Sequence, residues 1–421
     1  MLTDAGLPSG AHQRRIDMAT IHDRETLNQQ MALTSPDYVM FVPSQIEGES
    51  DNVHLYVVEH EGFGGILAFW TQSTVEGTGN NHIVMSGSRD GGVTWSKPRF
   101  LLGSRALARS PEAQASWGFP IVTKSGRIYL FYYREIPGEV DNTRQLTATF
   151  ACIYSDDGGE SWSESHDIHT AKTKYDRKAD IQENIVYQLP MRCADGRYLA
   201  GFTKYVSRDA GEALRDTTRV YFYRFDNIDE DPEAEDMKIT VLPEGDEEGI
   251  SLKYPDGRWA RIEEPAWFNL PDGRIFCSMR TNLGAVYYSV SDDCGVTWRE
   301  PQPLLFSDGT PFVHPLSPSP IFDLKDGRYM QLYHGAFRAD NFWQPRTPLR
   351  RAIGRFDPEA KQPIVFDKAD DELYMVLPPE QANTMGYGIE LAIYGTMTHQ
   401  GGKNVLWYPD RKFFLLGKIV E

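Results

Sequence analysis

The sequence has no run of about 18 apolar residues, so no segment of it reads as a membrane-crossing helix. Its opening stretch, MLTDAGLPSGAHQRRIDMAT, has no apolar core of the secretory kind. That predicts a cytoplasmic protein, or a secreted or periplasmic one if a leader has been removed. Cysteine is scarce: Cys152, Cys193, Cys277 and Cys294 are widely spaced and form no CxxC pair. Neither a zinc site nor a disulfide framework is indicated, and reduced thiols, mostly in strands, are expected. No glycine-rich phosphate loop joins a strand to a helix, and no His/Cys spacing suits a metal, so no cofactor and no metal are implied. Amphipathic helical periodicity is missing. Positive charge is also short: the net charge of −17 argues against nucleic acid as a partner. Much of that charge is local. Asp226–Gly249 holds eleven acidic residues against one lysine, which reads as a solvated acidic loop inserted at about 226–249.

What the chain does have is a repeat. SRDGGVTW (Ser88–Trp95), SDDGGESW (Ser155–Trp162) and SDDCGVTW (Ser291–Trp298) share Ser-x-Asp-x-Gly-x-x-Trp, with serines 67 and 136 residues apart. A degenerate copy is expected near residue 223, where VYFYRFDNID is strand-like but lacks the motif. A second series runs in phase. Turn signals at Gly65, Gly126, Gly196, Gly273, Gly327 and Gly402 each precede an apolar strand, and the first and last lie 337 residues apart, about 67 per repeat. Six four-stranded antiparallel blades of this length fill the chain, which predicts an all-β, single-domain six-bladed β-propeller over residues 1–421.

These motifs resemble the Asp boxes of the sialidase-like superfamily of propellers, and the likeness in repeat covers nearly the whole chain. The boxes themselves are structural turns, found in hydrolases, lyases and non-enzymatic propellers alike. In a four-stranded blade the glycine hairpins join strands one and two, the boxes join strands three and four, and both lie on one face. The opposite face is built from residues just before strand one, just after strand two and at the start of strand three.

The blade IEEPAWFNLPDGRIFCSMRTNLGAVYYSVSDDCGVTW is the clearest case. Glu264 stands before its strand one and Arg280, sixteen residues on, closes strand two. The pattern is similar to the sialidase one, which implies a glutamate that assists a tyrosine nucleophile and an arginine from a triad that grips a substrate carboxylate. Bidentate pairing with a carboxylate is the physical reason for arginine there. The resemblance then breaks. The expected tyrosine position falls near Pro318, with no tyrosine between Gly309 and Gly327, and Asn80, Asn81 and His82 stand where an acid/base aspartate is expected. No first arginine of a triad is evident near the N-terminus.

By strand position the same face also receives His334, His82, Asn81, Glu183, Trp117, Arg134, Lys204 and Arg338. His314, His54 and His399 read as structural or exposed. Three functions fit. In glycoside hydrolysis Glu264 and Glu183, from adjacent blades, act as a carboxylate pair, or His334 replaces one of them; Arg280, His82, Asn81, Trp117, Arg134, Lys204 and Arg338 bind the glycan. In β-elimination from a uronic-acid polysaccharide, Arg280 neutralises the carboxylate and His334 or His82 takes the proton. The third is a non-catalytic carbohydrate- or protein-binding propeller. An oligosaccharide is the expected partner of either enzyme, and no membrane is.

Overall fold

The computed structural model describes residues 36–43, 48–74, 79–105, 113–136, 148–176, 182–206, 214, 217–375, 394–410 and 412–421. The opening stretch and the rest of the expected 1–421 domain lie outside these.

Six antiparallel sheets follow one another along the chain. The first blade is Asp51–His60, Gly65–Ser73, His82–Ser88 and Arg99–Gly103, and the second Ala115–Val122, Ile128–Glu135, Ala148–Ser155 and His166–Asp167. The third begins with Asn184–Val186 and continues through Tyr198–Tyr205, Thr218–Phe225 and Ile239–Leu242, with Met191–Arg192 pairing on its second strand. The fourth is Ile262–Asn269, Ile275–Thr281, Tyr287–Ser291 and Gln302–Pro303. The fifth is Ile321–Asp323, Arg328–Tyr333, Leu349–Phe356 and Ile364–Phe366, with Glu372–Met375 also on its third strand. Thr396–Gln400, Lys403–Asp410 and Phe414–Val420 form the sixth, and Tyr38–Phe41, from the other end of the chain, completes it as the edge strand. The fold is therefore a six-bladed β-propeller whose ring is closed by joining the two ends of the chain, which limits exposed sheet edges.

The repeat motifs fall where the blade predicts. Each box follows strand three. In the second, Ser155 Oγ donates to Asp157 Oδ1 at 2.8 Å, the Ser161 amide donates to the same oxygen at 2.9 Å, and Trp162 Nε1 donates to Gly159 O at 3.2 Å. The box tryptophans hold blades together. Trp95 meets Trp407 of the sixth blade at 5.3 Å, Trp162 meets Phe69 of the first at 6.1 Å, and Trp298 stacks on Phe222 of the third at 4.6 Å. The degenerate copy is Thr218–Phe225, strand three of the third blade.

The acidic stretch is not one loop. It contains two 3-10 turns, Ile228–Glu230 and Ala234–Asp236, and strand four of its blade, Ile239–Leu242. Cations from neighbouring elements take up its charge: Asp229 pairs with Arg192 and Lys124, Asp226 with Arg224 and Arg197, and Glu248 with Arg219 and Lys174.

Candidate active site

Three first strands are interrupted at the same level. The ladders of the first, second and fourth blades each shift register, at Val53/Tyr56, Ser116/Phe119 and Glu263/Ala266. The extra residues are His54, Trp117 and Glu264, with φ of 53°, 57° and 51°. Positive φ in a bulky residue is costly, about 1–3 kcal/mol, and persists only where the surroundings impose it. The imposition is visible. Pro265 has no N–H for the ladder, which helps break it after Glu264. A Cβ on Gly118 would meet Ile83 Cδ1 at 2.6 Å, so glycine after Trp117 lets the Ile83 side chain of the first blade pack here without shifting. The Trp117 amide donates to Thr71 Oγ1 and the Glu264 amide to Thr203 Oγ1, each at 2.8 Å and each from strand two of the preceding blade.

These bulges bring side chains together from around the ring. Tyr394, just ahead of Thr396–Gln400, donates its hydroxyl to Glu264 Oε1 at 3.1 Å, and its carbonyl accepts the Leu55 amide at 3.1 Å. The His54 ring stacks on Tyr394 with centroids 4.6 Å apart and lies 6.1 Å from Trp117. Tyr187 packs 5.7 Å from Tyr394 and shares a 2.9 Å hydroxyl contact with Tyr205. Arg280 reaches two carboxylates: Nη2 lies 2.6 Å from Glu263 Oε2 and 2.9 Å from Glu264 Oε1, and Nε donates to Glu263 Oε2 at 3.0 Å. Arg261 follows Glu263 from the outside at 3.3 Å. Trp343, 37% exposed, lies against Arg261, Arg280 and Arg346 at 5.6–5.9 Å from its ring.

Burial pushes the Glu264 carboxyl up to about 7; Arg280 opposes that rise and Glu263 adds to it. Its Oε2 is buried with no hydrogen-bond partner. The result is a carboxyl that changes protonation near neutral pH, hydrogen-bonded to a phenol and beside a guanidinium. Such a group can accept a proton from that phenol.

Glu264, Arg280 and Trp117 of the predicted residues meet here, with Glu264 inside strand one rather than before it. The surroundings of the others are these. Glu183 is buried, and its carbonyl accepts the amide of Tyr205, the residue whose hydroxyl meets that of Tyr187. His334 is engaged at both ring nitrogens, by Ser317 Oγ at 3.2 Å and by Pro348 O at 3.0 Å, and stacks on His314. Burial brings its pKa down to about 3, so the ring is neutral and a poor proton donor. His82 is buried against Phe100 of the outer strand, with Nδ1 at 3.0 Å from Asn80 O. Asn81 pins the first blade to the second through Ser116 Oγ at 2.8 Å. Arg134 turns outward to Asp167 on strand four. Lys204 is buried in an ion pair with Asp176 within a separate cavity also lined by Gln182, Asn184 and Phe202. Arg338 is exposed and pairs with Asp340 of its own loop at 2.7 Å.

Tyr394, Glu263, Arg346 and His54 were missed as site residues. Tyr394 carried a signal, since it stands directly before strand one of the last blade, whereas the resemblance puts the tyrosine in the fifth, near Pro318. Among the described residues, no group of three His, Cys, Asp or Glu is placed to hold a metal ion, and no helix is long and apolar enough to cross a membrane.

Comparison with known proteins agrees with this architecture. The family described as BNR repeat-like domain matches residues 64–352, more than half of the chain. No curated protein matches. A structure from Dyadobacter fermentans of a protein of unknown function is similar at 14% identity and a TM-score of 0.60, covering 92% of this chain and 98% of that one. The leech intramolecular trans-sialidase, solved with 2,7-anhydro-Neu5Ac, is similar at 14% identity and a TM-score of 0.59, with 96% and 72% covered. The intramolecular trans-sialidase of Ruminococcus gnavus, solved with oseltamivir carboxylate, is similar at 15% and 0.58, with 91% and 96% covered. At these identities the likeness is one of fold.

Proposed function

We propose, from the premise that this chain belongs to the family of BNR repeat-like domains, that it is a glycoside hydrolase acting on a sugar that carries a carboxylate. The observation that carries this reading is the 3.1 Å hydrogen bond from Tyr394 to Glu264 Oε1, with Arg280 Nη2 at 2.9 Å from the same oxygen. Tyr394 is the nucleophile. Its oxygen bonds to the anomeric carbon as the bond from that carbon to the leaving oxygen breaks, and its proton passes to the ionised Glu264. The leaving oxygen departs with the bonding electrons and takes a proton from solvent. Water then attacks the anomeric carbon of the glycosyl-tyrosine as the bond from that carbon to the phenol oxygen breaks; the water gives up a proton to solvent, the phenol oxygen recovers its own from Glu264, and the sugar leaves with its configuration retained. Arg280, backed by Arg346, holds the carboxylate of the sugar.

Resemblance to the sialidase-like superfamily supports this assignment of roles, and a similar structure solved with a sialic-acid derivative supports an acidic sugar. The lyase reading would need a histidine beside Arg280. His334 is engaged at both nitrogens and His82 packs on an outer strand, so neither supports it.

The test is a panel of 4-methylumbelliferyl glycosides, among them the α-N-acetylneuraminide, the β-glucuronide and neutral hexosides. Release of fluorophore is expected from an acidic member, and Tyr394→Phe or Glu264→Gln should lower kcat by about 10²–10⁴-fold. Unchanged turnover in both variants, or a product absorbing near 235 nm from a polyuronate, would overturn the assignment.

A further inference from the structure

Of the three bulged residues, Trp117 gives its ring to packing and Glu264 its carboxyl to Tyr394 and Arg280. His54 has a polar ring with nothing to bond. It is 5% exposed, and both Nδ1 and Nε2 are buried without a hydrogen-bond partner. Each such orphan costs about 1–3 kcal/mol, and the backbone strain at φ 53° adds to it. A phenylalanine would fill the same space without those orphans. The strained, polar alternative points to a partner that arrives from outside.

The location says which partner. One face of the ring lies on Tyr394 at 4.6 Å, and Tyr187 lies 5.2 Å away. One face is thus taken up by Tyr394, with Tyr187 beside both rings, and the edges carry the hydrogen-bonding atoms. Glu264 Oε2, on the group that Tyr394 bonds, is orphaned as well. Both unpaired groups thus belong to residues that touch Tyr394. Burial, with Lys412 nearby, holds the imidazole pKa well below its ordinary value, so the ring is neutral and offers one donor and one acceptor. That combination suits hydroxyl groups; a carboxylate would need two donors or a charge, which Arg280 and Arg346 supply.

We infer that His54 is a specificity-determining residue that binds the hydroxyl-bearing edge of the sugar whose carboxylate Arg280 holds. The inference rests on the glycoside reading of the same site, and its test reads binding rather than turnover. Isothermal titration of the full chain with N-acetylneuraminic acid and with D-glucuronic acid is run on the parent, His54→Phe and His54→Gln. His54→Phe is expected to bind at least tenfold more weakly while its Tm is unchanged or higher, since a buried orphan has been removed. His54→Gln, which restores a donor and an acceptor, should recover part of the loss. Binding by His54→Phe within twofold of the parent overturns the inference. So does weakened binding accompanied by a lowered Tm in both variants, which would make His54 a structural residue, or a parent that binds neither acid. Should Tyr394→Phe and Glu264→Gln both leave turnover unchanged, the hydrolase reading fails while the titration still decides the role of His54.

Discussion

The Asp-box turns and the first-strand bulges occupy opposite ends of the same blades, and they differ in how their polar groups are treated. In the third box, Asp293 accepts from the Thr297 amide at 2.8 Å and from its hydroxyl at 2.6 Å, and Ser291 Oγ adds a third bond at 2.9 Å. At the bulges the carboxyl of Glu264 is crowded by a second glutamate, and neither ring nitrogen of His54 has a hydrogen-bond partner. One end is a local, satisfied turn that would form in any blade. The other stores strain, burial and unpaired polarity at the axis. Stability alone accounts for the first and not for the second, which is why function is sought at the axis.

The sharpest way to break this contrast after loss of the Tyr394–Glu264 pair is Arg280→Ala. It leaves Glu263 and Glu264 buried beside each other without their shared cation, and a loss of about 3–5 kcal/mol in chemical denaturation is expected. A loss under about 1 kcal/mol would mean that the two carboxylates are not held as described.

The pH dependence of Glu264 comes next. Its folded pKa of about 7 stands above the ordinary 4.5, so the folded state holds its proton more tightly. The contribution to stability is fully present below pH 4.5 and is lost as pH rises through about 7, by up to about 3 kcal/mol. Glu264→Gln should flatten that part of a Tm-against-pH curve. Catalysis runs the other way, because the base must be ionised: kcat should fall as pH drops below about 7, in step with one proton. A flat stability curve in both proteins would contradict the burial argument.

The smallest effect belongs to the satisfied end. Asp293→Ala should lower stability by about 1 kcal/mol, seen as a drop in Tm, and leave kcat/KM within twofold. A large loss of activity at unchanged Tm would erase the distinction between the two ends.

The same contrast governs what could be read from the chain. The boxes and glycine hairpins are local, so their spacing revealed six blades before any contact was known. Glu264 and Arg280 were legible because a single hairpin, at Gly273, sets both. Tyr394 lies 130 residues from Glu264, and only closure of the ring brings them together. His54 looked like an ordinary strand residue because a bulge leaves no mark in composition. Arg134, Lys204 and His82 stand at the right strand ends, yet period-two alternation and local partners turn them outward or between blades. Asp167, Asp176 and Phe100 decided their directions, and none of these could be paired with them from the linear order.

The central claim is that Tyr394 attacks the sugar with Glu264 as its base. The most direct measurement is incubation with a 2,3-difluoro derivative of N-acetylneuraminic acid, in which the Tyr394 oxygen would displace the anomeric fluoride, followed by peptide mass spectrometry. One sugar added to the peptide that contains Tyr394, and none in Tyr394→Phe, is the predicted result. Labelling of another residue, or no labelling by an acid sugar that the protein demonstrably hydrolyses, would contradict it.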